Sequence, residues 1–105
     1  MKTLEENIKI LGEIDSLLRN KLQHDPINVK VVDKNRVRYS WRQQSIDADL
    51  VANENSVAFK IAYTNEVGRS GFDSTSFARD GCNVALCVKG ILARIRRIEG
   101  LVDSR

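Results

Sequence analysis

Residues 27–42 read Ile27-Asn28-Val29-Lys30-Val31-Val32-Asp33-Lys34-Asn35-Arg36-Val37-Arg38-Tyr39-Ser40-Trp41-Arg42. Ile27, Val29 and Val31 alternate with Asn28 and Lys30. After Asp33-Lys34-Asn35 the alternation resumes as Val37, Tyr39 and Trp41 against Arg38, Ser40 and Arg42. A period of two sends every apolar side chain to one face, so the stretch predicts two antiparallel strands with one buried face. Residues directly opposite share a face. An odd-numbered loop, Lys34-Asn35-Arg36, would therefore set Val31 opposite Tyr39 and Val29 opposite Trp41, whereas a two-residue loop would bring Arg38 opposite Val31.

Further along, Val57, Phe59, Ile61 and Tyr63 alternate with Ala58, Lys60, Ala62 and Thr64 and predict another strand of the same kind. Between them, Ile46, Ala48, Leu50 and Ala52 alternate with Asp47 and Asp49. We read a strand, although Ile46 with Leu50 and Asp47 with Val51 also fit one helical turn. Asn53-Glu54-Asn55 is then the turn into the following strand. Residues 65–76 are polar and contain Gly68 and Gly71, a loop or short extra hairpin, with helix caps at Asp73, Ser74 or Thr75.

Helical spacing takes over at both ends. Thr3 and Glu6 form a capping box, and Leu4, Ile8, Leu11, Ile14, Leu18 and Leu22 follow at helical steps, so a helix is expected over about 4–22. Pro26 closes that region because it lacks a backbone donor and pushes Asp25 toward extended geometry. In the last quarter, Val84, Val88, Ile91, Ile95, Ile98 and Val102 recur at steps of four and three, with Lys89, Arg94, Arg96 and Arg97 between them. A helix from near Thr75 to near Val102 would run roughly 40 Å, about twice a six-residue strand, which would leave part of the apolar seam overhanging. Gly100 is a candidate early stop. The fold class is α+β: an antiparallel sheet of three or four strands flanked by an N-terminal and a long C-terminal helix, in αβββα or αββββα order, as one domain over residues 1–105.

Composition excludes several classes. With 42% hydrophobic and 30% charged residues the 105-residue chain is globular rather than disordered. Apolar runs stop early, as at Val88 before Lys89, far short of a bilayer span. The opening Met1-Lys2-Thr3-Leu4-Glu5-Glu6 lacks a secretory signal, and Cys82 and Cys87 lie about 140° apart on the expected helix, unable to pair within it. Reduced thiols in a cytoplasmic protein are the expectation.

No motif for catalysis, cofactor or metal stands out. His24 is the single histidine, and His24-Asp25 lacks an accompanying nucleophile with motif context, so a solvated turn is expected. One His and two Cys lack zinc spacing. Asp47 and Asp49 read as solvated strand residues. Gly68-Arg69-Ser70-Gly71 matches neither a Walker loop nor a dinucleotide fingerprint. We therefore expect a non-enzymatic chain without cofactor or metal.

What remains are surfaces. On the expected register the non-core sheet face carries Lys30, Arg38, Arg42 and Lys60, with Arg36 in the adjoining loop, a candidate polyanion site in a chain of formal charge +3. Tyr39, Trp41 and Phe59 fall on the core parity and offer no stacking platform there. From Gly90 onward, Ile91, Ile95 and Ile98 supply apolar contact and Arg94, Arg96 and Arg97 charge, a candidate site for an acidic protein partner or for self-association. The αβββα order resembles that of the double-stranded RNA-binding domain. In that family a Lys-rich cluster opens the final helix and grips phosphates. The corresponding stretch here, Ser74-Thr75-Ser76-Phe77-Ala78-Arg79-Asp80, holds one basic residue, and no functional residue carries over.

The expected function is a small regulatory binding protein acting through the C-terminal helix and the basic sheet face, such as a phage or mobile-element inhibitor of a nucleic-acid-handling complex. Direct binding of DNA or RNA by the same sheet face is the alternative.

Overall fold

A computed structural model describes residues 4–78 and 83–103. The capping box at Thr3, the thiol of Cys82 and the charge of Arg79 lie outside the described residues. The element order is α1 (Leu4–Lys21), β1 (Asn28–Asp33), β2 (Arg36–Trp41), β3 (Ile46–Ala52), β4 (Ser56–Thr64), β5 (Ser70–Ala78) and α2 (Val84–Asp103). The five strands form one antiparallel meander in the order β1-β2-β3-β4-β5. The α+β class and flanking helices stand, with five strands rather than three or four.

The period-two alternation builds the core. Val37, Tyr39, Trp41, Ile46, Ala48, Leu50, Ala52, Val57, Phe59 and Ile61 line one sheet face and are buried with Leu11, Ile14 and Leu18 of α1. The helices pack on each other and on that face, α1 over β3 and β4 and α2 over β4. Covering a single face is what alternating strands require, and the other face stays open.

The hairpin differs from expectation in one instructive way. Its turn is the two-residue Lys34-Asn35, with Asp33 opposite Arg36, yet Val31 pairs with Val37 and Val29 with Tyr39. A bulge between Val31 and Asp33 absorbs the extra residue and restores the parity that a two-residue turn would otherwise have reversed. The segment 46–52 is a strand, paired throughout with β2 and β4.

The larger correction concerns residues 65–78. The turn is confined to Asn65–Arg69, where the Asn65 side chain accepts the Arg69 N–H at 2.8 Å and Gly68 takes φ 83°. Beyond it β5 pairs along β4 from Ser70 opposite Thr64 to Ala78 opposite Ser56. Thr75 therefore lies in a strand, and α2 begins only at Val84. Its cap is Asn83, whose side-chain oxygen accepts the Leu86 N–H at 3.2 Å. At 20 residues α2 is about 30 Å long, too short for the expected overhang, and Gly100 lies inside it.

The buried polar group of α1 fixes the far end of the sheet. Asn7, fully buried, donates from Nδ2 to the carbonyls of Asn53 (2.6 Å) and Glu54 (3.2 Å), tying the helix to the β3–β4 turn. These bonds give the buried Asn7 amide nitrogen acceptors that it would otherwise lack away from water.

Candidate functional site: the open sheet face

The C-terminal seam is core. Ile91, Ile95 and Ile98 retain 0, 2 and 1% exposure, and Val88 1%. They fill the space above the sheet and offer nothing to a partner while the domain is folded. The cations between them are met within the chain. Arg94 and Arg97 reach the Asp73 carboxylate on β5 at 3.8 and 3.3 Å. Arg96 bonds Glu99 at 2.6 Å and Asp25 at 3.4 Å. The bond to Glu99, ahead of the cost of partial burial, raises the Arg96 pKa. Asp25, the neighbour of His24, is thus held by a helix arginine, and His24 itself is exposed.

Arg42 is also displaced from its expected place. It lies in the turn after β2 with φ 55°, and its guanidinium reaches Glu99 of α2 at 3.5 Å. The basic face accordingly loses one member.

Pairing registers place the remaining side chains in rows across the open face. Lys30, Arg38, Asp49, Lys60 and Ser74 follow one another on β1 through β5, and Asn28, Ser40, Asp47, Ala62 and Phe72 form the next row. Arg36 opposes Val51, which opposes Ala58. With strands about 4.8 Å apart, Lys30 and Lys60 stand roughly 14 Å from each other. The sequence-predicted Lys30, Arg36, Arg38 and Lys60 do share this face, but Asp47 and Asp49 share it with them. Arg38 and Asp49 face each other directly and pair at 3.0 Å. That hydrogen bond, followed by the charge of Asp49, raises the Arg38 pKa. The basic patch is a mixed-charge face with a cationic excess.

The face is concave. A trough of about 810 Å³ runs over it, lined by Lys30, Arg38, Asp47, Asp49, Lys60 and Phe72 among others. Phe72 is 76% exposed, the most exposed of the large apolar side chains among the described residues. It supplies the aromatic contact that the core parity denied to Tyr39 and Trp41. Sequence reasoning missed it because β5 lacks apolar alternation: its helix-side positions are Gly71, Asp73, Thr75 and Phe77. A Cβ on Gly71 would come within 2.8 Å of the Tyr63 ring that lies across it, so a larger residue there would have to displace the ring.

Among the described residues no group of His, Cys, Asp and Glu is placed to hold a metal ion, and no helix is long and apolar enough to cross a membrane. No family model, curated protein or solved structure matches this chain at a significant level, so the functional reading rests on its own residues.

Proposed function

We propose that this chain is a small non-enzymatic binding protein whose working surface is the open sheet face and whose partner is another protein. The observation that carries the reading is the exposed Phe72 at one side of a concave face of mixed charge. An exposed aromatic beside small residues such as Ala62 is the kind of anchor on which protein interfaces concentrate their energy. The charge order favours a protein over a polyphosphate. Lys30, Arg38 and Lys60 share the face with Asp49 in their own row and Asp47 in the next, and a partner carrying both signs can answer each of them. A phosphate lying over Asp47 would meet a like charge, and Arg38 is already engaged by Asp49. The cationic excess, with Arg36 at the rim, selects a partner surface that is acidic on balance. A role as regulator or inhibitor of a larger assembly fits a domain that acts by occupying a surface.

Phe72 together with Lys30, Arg36 and Lys60 also supports the second reading, a single-stranded nucleic acid whose bases stack on the ring. One experiment separates the two. A photocrosslinking residue is placed at Ala62 or Phe72 on the open face, and at Glu13 on α1 as control, in the cells that make the protein. A discrete protein adduct from the sheet positions alone, lost when Lys30 and Lys60 are changed to Glu, supports the proposal. Equal adducts from Glu13 overturn it. Oligonucleotide binding that falls steeply with salt and is lost in the same charge variant transfers the surface to nucleic acid.

A further inference from the structure

We infer that two copies of this chain pair edge to edge through β1, strand against strand about a two-fold axis. β1 and β5 are the outer strands of the sheet, so the free edge of each presents backbone N–H and C=O groups without a ladder partner among the described residues. The β1 edge is also apolar. Val31 is 63% and Val32 45% exposed, although Val31 has the parity of the core. The helices lie chiefly over β3 and β4, and of β1 only Val29 is half-buried against the core, so Val31 and Val32 are left exposed.

Charge complementarity identifies the occupant. Val31 pairs with Val37 and Asp33 with Arg36, so the bulge places Val31 and Val32 together against one partner residue. Lys30, opposite Arg38, and Asp33, opposite Arg36, consequently share the open face although they are three residues apart. A regular strand would put them on opposite faces. Among the described residues neither takes part in an ion pair. An antiparallel pair of β1 strands centred between Val31 and Val32 brings Lys30 of each copy opposite Asp33 of the other on one face, and Val31 opposite Val32 between them. Both charge contacts are attractive and both valines lose their exposure. Centring on Lys30 instead would oppose Lys30 to its own copy. β5 offers no such match, because its carboxylate, Asp73, is already held by Arg94 and Arg97.

A contact between six-residue strands buries less than the roughly 1,200 Å² of stable complexes, so the dimer is weak and concentration-dependent. Sedimentation velocity from micromolar to millimolar protein should show a reversible monomer–dimer equilibrium. Lys30→Asp should weaken it about tenfold, since two attractive cross-strand pairs become repulsive. Asp33→Lys should do the same, and an equimolar mixture of the two variants should recover wild-type association, because each then meets its opposite charge. Asp33 also accepts the Lys34 N–H at 2.7 Å in the turn. Folding of both variants is therefore checked by circular dichroism, and Lys30→Asp, which leaves that turn intact, is decisive by itself. A monomer at millimolar concentration overturns the inference, as does a dimer indifferent to Lys30→Asp.

Discussion

Tyr39 and the turn after it carry the local tensions of this domain. The Tyr39 hydroxyl donates to Asp15 at 2.5 Å, and Asp15 also takes Arg19 at 3.0 Å. Burial, followed by that hydrogen bond, pushes the phenol well above the ordinary tyrosine range. A folded-state pKa raised above the unfolded one contributes stability that is whole below pH about 10 and drains away as the pH rises, by about 1.4 kcal/mol per unit. Tyr39→Phe should cost about 1–2 kcal/mol at neutral pH and flatten that alkaline decline, as urea unfolding at pH 7 through 11 would read. Three residues on, Arg42, Gln43 and Gln44 all have positive φ, 55°, 55° and 68°, in a turn closed by the Ser45 N–H on the Arg42 carbonyl. Each such non-glycine residue costs about 1–2 kcal/mol. Gln43 is exposed, and Gln43→Gly should stabilise the domain by about 0.5–1 kcal/mol once the entropy of glycine is subtracted, measurable as a higher urea midpoint. Alternation carried no sign of this strain, because side-chain period says nothing about the hand of a turn.

At the scale of elements, α2 and β5 hold each other in place. Ile95 sits at 2% exposure in the seam, so Ile95→Ala should cost about 2–5 kcal/mol by leaving a cavity, and Ile95→Asp should unfold the domain. Retention of a folded Ile95→Asp variant would return the seam to the surface and reopen the helix as a docking site. Asp73 bridges to two α2 arginines from the edge strand. Asp73→Asn should cost about 1 kcal/mol or less and speed hydrogen exchange in β5 more than in β3, since partly exposed ion pairs contribute modestly and locally. The helix over about 4–22 and the alternating stretches 27–31, 37–41 and 57–63 were legible because their burial follows a period that the residues display, whereas 46–52 also fitted a helical turn and Arg36 was read in the loop rather than in β2. β5 was legible only as one of two readings, a loop or a short extra hairpin, and its length was not. Its inward positions are satisfied by the Tyr63 ring over Gly71 and by the arginines on Asp73, the latter a contact between segments distant in sequence, while its Ser, Gly and Asp residues carry no apolar period.

For the whole molecule, layer geometry decides which surface is left open. Two helices cover one face of a five-stranded sheet and leave a mixed-charge trough on the other, which is why the proposed binding surface is the sheet rather than the helix. Lys30→Glu combined with Lys60→Glu should leave stability within about 0.5 kcal/mol, as surface changes do, while removing partner capture by the open face. Thermal melting beside the crosslinking yield checks both halves. The residues alone determined the α+β class, the helix at each end, the core parity, and the presence of Lys30, Arg38 and Lys60 on the face opposite the core, because period and parity are local properties of the chain. Only tertiary structure decided that Ile91, Ile95 and Ile98 are core, that Asp49 answers Arg38, that Arg42 turns to Glu99 and that Phe72 stands exposed in the trough. Those outcomes depend on which segments meet, and burial and charge pairing are settled by the neighbour that arrives rather than by the residue itself.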